Sequence, residues 1–168
     1  MENISGLLYK EEQFFPTWFY FLFYSWVPFI VILFIVEPEL LKRSDLILII
    51  LLGALLEFFV IALIGKMTIL VRWNEMVVKI GFFGIRTLKV KKSEIKDVKV
   101  VDGKLWKMYG GWGIKGAFGM IAFVYSAGGG VEIELINSRQ GLLKVKLRKV
   151  IISSKSPGRL ADAIMSIT

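Results

Sequence analysis

The chain has no cysteine and no histidine. The first absence excludes a disulfide framework, thiol catalysis and a thiolate metal site, and it is compatible with any compartment. The second removes the commonest general base and the commonest transition-metal ligand. A Ser-His-Asp triad and a zinc site of the usual kind are thereby excluded. Carboxylate or lysine chemistry stays open, but no residue set fixes a reaction. No catalytic residue, cofactor-binding residue or metal ligand is expected, and no cofactor.

Charge is scarce where the chain is most apolar. Thr17 to Val36 holds no charged residue in twenty, and Leu46 to Gly65 holds one, Glu57. At about 1.5 Å per residue each run reaches about 30 Å, the thickness of a bilayer's hydrocarbon core. Neither shows the polar stripe of a soluble helix. Two transmembrane helices are expected, 17–36 and 46–65, joined by the loop 37–45. A cleaved signal peptide does not fit the first run. It is too long for an h-region, its upstream flank "YKEEQFFP" is acidic, and no small-residue cleavage site comes after it. Trp18, Tyr20, Tyr24 and Trp26 suit an interfacial belt at its first half. Ser44 or Asp45 is placed to cap the second helix.

The charges that exist are unevenly shared. The net charge is +8, with −4 over residues 1–65 and +12 over residues 66–168. A basic part suits nucleic acid, anionic lipid or an acidic protein, and plain solubility competes with all three. A tight hairpin puts both termini on one side. Lys10, Lys66, Arg72 and Lys79 flank that side, against Lys42 and Arg43 in the loop. The positive-inside rule then makes both termini cytoplasmic and the protein a two-span membrane protein.

Glu57 is the one ionisable group inside a span. Equal depth in an antiparallel hairpin sets it level with Ser25, beside Tyr24. A protonated Glu57 bonded to one of these hydroxyls is the plain expectation; an ion pathway or a dimer contact is the functional one. Gly53 and Ala54, near Phe29 and Pro28, permit close helix approach.

From Lys66 the apolar period changes to two. "MTILVRW" and "MVVKIGFF" flank Asn74-Glu75 as a hairpin. "IRTLKV", "EIKDVKVVDG", "GMIAFVYSA", "VEIELIN" and "LLKVKLRKVII" come next. The total is about seven antiparallel strands with no interior helix, curled into a barrel or sandwich. Ser156 is the expected N-cap of one C-terminal helix, about 157–167, with Leu160, Ala161, Ile164, Met165 and Thr168 on one face. Residues 1–16 are left as an N-terminal segment and 66–168 as the domain.

Gly111, Gly113 and Gly116 in "YGGWGIKGAFG" fit G-x-G-x-x-G, and Glu132 lies 21 residues after Gly111. A dinucleotide site needs a helix opening there. The next residues, "AFGMIAFVYSAGGG", read as a strand closed by a turn. The glycines are therefore expected to bend the backbone, with Trp112 anchoring the segment. The order of strands and C-terminal helix, with "GWGIK…GGGVEIEL…VIISSKSPGRLADAI", resembles the prokaryotic membrane-anchored pleckstrin-homology (PH)-like proteins. The chain departs from them at Lys115, where Arg is usual, and in a longer final hairpin. The resemblance implies an all-β PH-like barrel on a transmembrane hairpin, acting as a tethered binding or scaffolding module.

Lys89 and Lys91, then Lys144, Lys146 and Arg148, alternate with Leu88, Val90, Val145 and Leu147, so the charges share a solvent face. With Asn137 opposite Gly141, Glu134 faces Lys144 and Glu132 faces Lys146. With Lys66, Arg72 and Lys79 these are the candidate contacts to the membrane surface. The expected partner is membrane lipid, with a protein partner or a second copy as further candidates. The alternatives are a membrane enzyme or transporter subunit using Glu57, and a basic nucleic-acid-binding domain. The latter lacks any helix-turn-helix or RNA-binding signature.

Overall fold

The computed structural model describes residues 6–140 and 146–168. Two helical segments are long and apolar enough to span a membrane, Thr17–Val36 and Ser44–Ile64. Away from the ends that meet the sheets neither is covered by other described residues, and side chains such as Phe21, Ile35 and Leu56 are exposed. The first segment is two pieces, α1 (Thr17–Tyr24) and α2 (Trp26–Val36). Pro28 explains the break: it has no N–H to give the carbonyl of Tyr24. The chain tightens there instead, with the Ser25 N–H and hydroxyl both donating to the Leu22 carbonyl. A short 3-10 turn, Pro38–Lys42, leads to α3 (Ser44–Ile64). Neither Ser44 nor Asp45 caps that helix; the N-cap is Arg43, which holds Asp45 in an ion pair at 2.7 Å.

The N-terminal segment, expected to lie outside the domain, contributes a strand to it. Leu7–Phe14 is strand β1, and it pairs antiparallel with β2 (Lys66–Arg72) across the whole helical hairpin, Phe14 opposite Lys66. β3 (Glu75–Ile80) and β4 (Ile85–Lys91) complete a four-stranded sheet in the order β1-β2-β3-β4. The helical hairpin is thus an insertion between two neighbouring strands of one sheet.

A second sheet holds five strands. They are β5 (Ile95–Val101), β6 (Gly113–Ala117), β7 (Met120–Val124), β8 (Gly130–Gln140) and β9 (Lys146–Ser153). Their order is β5-β8-β9-β7-β6, and β7 runs parallel to β9. The described residues therefore give nine strands in two sheets rather than seven, one parallel pair, and no closed barrel. A four-residue helix, α4 (Leu105–Met108), interrupts the strands.

Alternation explains the core. Met67, Ile69 and Val71 of β2 and Met76, Val78 and Ile80 of β3 face inward with Ile133, Val150 and Ile152 of the second sheet. The helix α5 (Pro157–Met165) closes this core against β5, β8 and β1 with Leu160, Ala161 and Ile164. Met165 is half exposed and Ile167 is buried in its place. The helix ends at Met165, so its spacing no longer governs the turn that carries Ile167 inward. Ser156 holds the N-cap position, but its side chain makes no capping bond.

The outer face of the second sheet has its own small core of Leu105, Ala122, Val124 and Ile151. The segment from α4 to the glycines covers it. Trp112 stacks on Trp106 with ring centroids 6.2 Å apart, and both pack on this core. Gly110, Gly111 and Gly113 take positive φ of 70°, 115° and 96°, where a side chain would be strained. Gly116 lies in β6 with no such φ, so the backbone bend does not use it.

Candidate functional site

The joint between helices and sheets is closed by hydrogen bonds and ring contacts. A helix leaves its last carbonyls without partners, and here the β domain supplies two of them and α1 bonds the carbonyl of the Gly65 C-cap. The Phe82 N–H donates to the Ala62 carbonyl at 2.8 Å. The Tyr125 hydroxyl donates to the Ile64 carbonyl at 2.8 Å, and burial raises its pKa. The Tyr20 hydroxyl donates to the Gly65 carbonyl at 2.9 Å. Phe15, buried, stacks on Tyr125 at 4.7 Å and tilts against Phe19 at 4.5 Å. No linker separates Ile64 from Lys66 save Gly65. The hairpin and the domain are therefore tied as one piece.

Behind this joint lies a buried polar network that joins β1 to the end of β9. The Gln13 side chain donates to the Ser153 carbonyl at 2.6 Å and accepts from the Ser153 hydroxyl at 3.0 Å. The same Ser153 oxygen accepts the N–H groups of Tyr125 and Ser126. Glu11 accepts four bonds: from the Tyr9 hydroxyl (2.6 Å), Gln13 Nε2 (2.9 Å), the Ser154 hydroxyl (2.6 Å) and the Lys155 N–H (2.7 Å). Burial, with the bond to Glu11 next, pushes the Tyr9 phenol up to about 12. Glu12 points outward between Lys66 at 2.8 Å and Lys10 at 2.9 Å, and their hydrogen bonds hold its carboxyl below the usual range. Sequence patterns do not single out Glu11, Gln13, Ser153 and Ser154. Their one signal is alternation: Tyr9, Glu11, Gln13 and Phe15 share a face, but the face is polar.

Inside the hairpin, Glu57 meets Trp26, not Ser25 or Tyr24. The indole Nε1–H donates to Glu57 Oε2 at 2.8 Å. The equal-depth rule is thus right to within one residue. One residue turns a helix by about 100°, which points Ser25 at its own Leu22 carbonyl instead. Glu57 Oε1 has no hydrogen-bond partner and lines a cavity of about 240 Å³ with Trp26, Ile30, Ile50, Gly53 and Ala54. Glu57→Gln keeps an oxygen for the indole and is expected to change stability by less than ~1 kcal/mol, whereas Trp26→Phe orphans the carboxyl and costs roughly 1–3 kcal/mol. Thermal unfolding of the two variants in one detergent checks this; equal losses would mean the indole bond is not what holds Glu57.

The candidate basic residues divide between the two ends of the sheets. Lys66 opens β2 at the helix end and is bonded to Glu12, and Lys79 is the penultimate residue of β3, which returns to that end. Arg72 and Lys91 lie at the far end, about 20 Å along strands that rise about 3.3 Å per residue, and Lys89, level with Leu70, lies about 13 Å along. Lys89 is paired there with Glu75. Arg148 is also remote, its N–H bonded to the Gly119 carbonyl at the β6–β7 turn. Lys144 and the side chain of Lys146 lie outside the described residues. Glu132 bonds Lys149 at 2.8 Å rather than facing Lys146, and Glu134 bonds Lys96. The β8–β9 register shifts between Glu134 and Arg139, and β8 runs on to Gln140, so Glu132 lies opposite Ile151 and Glu134 opposite Lys149.

Three lysines outside the candidate set do stand at the helix end. Val101, Gly130 and Ser153 are in register across β5, β8 and β9, and Ser153 touches Gln13 beside the start of β2. Lys104 comes after β5 there and is exposed. Lys107 lies over the Trp106 ring at 5.4 Å. Lys155 is exposed, with Nζ on the Glu12 carbonyl at 3.2 Å. No group of acidic residues that could hold a metal ion occurs among the described residues. No family model, no curated protein and no solved structure matches the chain.

Proposed function

We propose that the chain is a non-enzymatic membrane-anchored binding module. Its two helical segments cross the bilayer, both termini are cytoplasmic, and its basic β domain is held against anionic lipid headgroups. The domain is read as a divergent PH-like fold: two sheets and a C-terminal helix, with the hairpin inserted after the first strand. The single observation that carries the reading is the joint. The end of the helical hairpin is bonded directly to the β domain, so the residues at that end are carried to the level where lipid headgroups would be. Lys66, Lys79, Lys104, Lys107 and Lys155 lie on that side, within reach of a surface potential that decays over about 8 Å. Arg72, Lys89, Lys91 and Arg148 fall outside that range and serve solubility.

The test uses full-length protein in lipid nanodiscs. Hydrogen exchange of residues 102–109 is expected to slow when phosphatidylglycerol is added to phosphatidylcholine, and to recover at high salt. Identical exchange in both lipids sinks the headgroup reading. A protein partner is the second reading, favoured by Ile114 on the edge strand β6 and Phe118 at its turn, both exposed. Slowed exchange at β6 on adding a cytosolic extract, without any response to lipid charge, would favour it.

A further inference from the structure

The turn between β3 and β4 reads Gly81-Phe82-Phe83-Gly84. Turns favour Gly, Asn, Asp and Ser, and two adjacent phenylalanines at a tip are out of keeping with water. Both side chains are exposed, Phe82 to 55% and Phe83 to 69%. The turn is nonetheless firmly built. Gly81 and Gly84 take positive φ of 79° and 64°, and the Gly84 N–H donates to the Gly81 carbonyl at 3.1 Å. Its position is set by α3. A Cβ on Gly81 would sit 2.5 Å from the Leu63 carbonyl oxygen and 2.8 Å from that of Ala62, so only glycine lets the turn lie this close to the helix. The Phe82 N–H then bonds the Ala62 carbonyl.

The exposed apolar surface is thus continuous from the last turn of α3 into the β domain. Leu63, Ile64, Phe14, Phe82 and Phe83 all contribute, and the Phe14 and Phe82 rings lie 6.1 Å apart. Lys66 marks its border, with Nζ 5.7 Å from the Phe14 ring and bonded to Glu12. An apolar body with its ammonium turned to a polar partner is the arrangement of a residue at a water–lipid boundary.

We propose that the β3–β4 turn is a membrane-inserted wedge: Phe82 and Phe83 enter the interfacial zone of the bilayer beside α3 and fix the tilt of the β domain. The occupant of this surface is lipid. The turn is bonded to the flank of a helix of 21 residues, about 31 Å long, which reaches across a hydrocarbon core. Ala62 lies in its last turn, so the phenylalanines are at the level where the core ends. The inference rests on the transmembrane reading of the helices.

The test exploits the missing cysteines. Single cysteines are introduced in the full chain at Phe83, at Leu51 in mid-helix and at Asn74 on the far β2–β3 turn, all three exposed. Each is spin-labelled and reconstituted in vesicles of phosphatidylcholine with a minor share of phosphatidylglycerol. Accessibility to oxygen, which partitions into lipid, is compared with accessibility to a water-soluble nickel chelate. F83C is expected to show an oxygen-to-nickel ratio several-fold above that of N74C, with L51C at or above F83C. A high ratio at L51C with F83C equal to N74C overturns the wedge and leaves the transmembrane reading standing. A low ratio at L51C overturns both. An F83C label shielded from both reagents means a protein contact, and also overturns the wedge. Phe82→Cys repeats the measurement should F83C fail to reconstitute.

Discussion

A fragment that starts at Lys66 is expected not to fold. The sequence invites this truncation, because the period of two begins there and the two apolar runs end there. The fragment would lack β1, and with it an entire strand of ladder bonds to β2. It would lose Phe15 from the core, roughly 1.5–3 kcal/mol of burial. It would strip Gln13 from the Ser153 hydroxyl and carbonyl, and Glu11 from Ser154 and Lys155, leaving buried polar groups without partners at roughly 1–3 kcal/mol each. Against the ~5–15 kcal/mol of a whole domain, that sum is decisive. The matched rescue is direct. Phe15 and Gly65 are already bonded, so an Asn-Gly turn replacing residues 16–64 closes β1 onto β2 as a tight hairpin. The relinked chain is expected to fold as a soluble domain, seen as a dispersed amide spectrum and a cooperative thermal transition. The bare fragment is expected to give neither. A dispersed spectrum from the bare fragment would mean that β1 is dispensable.

Glu11→Ala is expected to be the most damaging single substitution outside the apolar core, at about 4 kcal/mol, since four donors lose one buried charged acceptor. Glu11→Gln discriminates between charge and connectivity. Its oxygen can still accept from Gln13 Nε2 and the Lys155 N–H. Its amide can donate to the Tyr9 and Ser154 hydroxyls, which turn to accept. A loss of only ~1–2 kcal/mol is expected. A second readout is the Tyr9 phenol. Its pKa of about 12 is raised by burial first and by the Glu11 carboxylate next, so Glu11→Gln should lower it without returning it to 10. Absorbance titration of full-length protein, with Tyr9→Phe as the blank, reads this. The sign is that of a raised folded-state pKa. The stabilisation from Tyr9 is whole below pH 10 and is lost as pH rises through about 12. An unchanged titration in Glu11→Gln would remove Glu11 as its cause.

The two apolar runs were legible because length and unbroken hydrophobicity are local properties. So were the β2–β3 hairpin around Asn74, the start of α5 at Pro157, and the depth of Glu57 to within one residue. Strand register was less accessible. The longer β8 and its bulge decide that Glu132 holds Lys149, and a bulge leaves no mark in alternation.

Residue content and local period establish that thiol and imidazole chemistry are absent, that two segments are fit for lipid, and that residues 66–168 are basic, strand-rich and end in one helix. Each of these depends on which residues are present or on a period read along a few neighbours. Long-range pairing alone places residues 7–14 in the β domain, inserts the helical hairpin within a sheet, and sets β9 between β8 and β7. The physical reason is the same in each case. β1 buries Glu11 and Gln13 where a strand normally buries hydrocarbon, and those side chains are satisfied by Ser153, Ser154 and Lys155, some 140 residues away. A polar inward face has no hydrophobic period to read, and its partners exist only once the chain has folded.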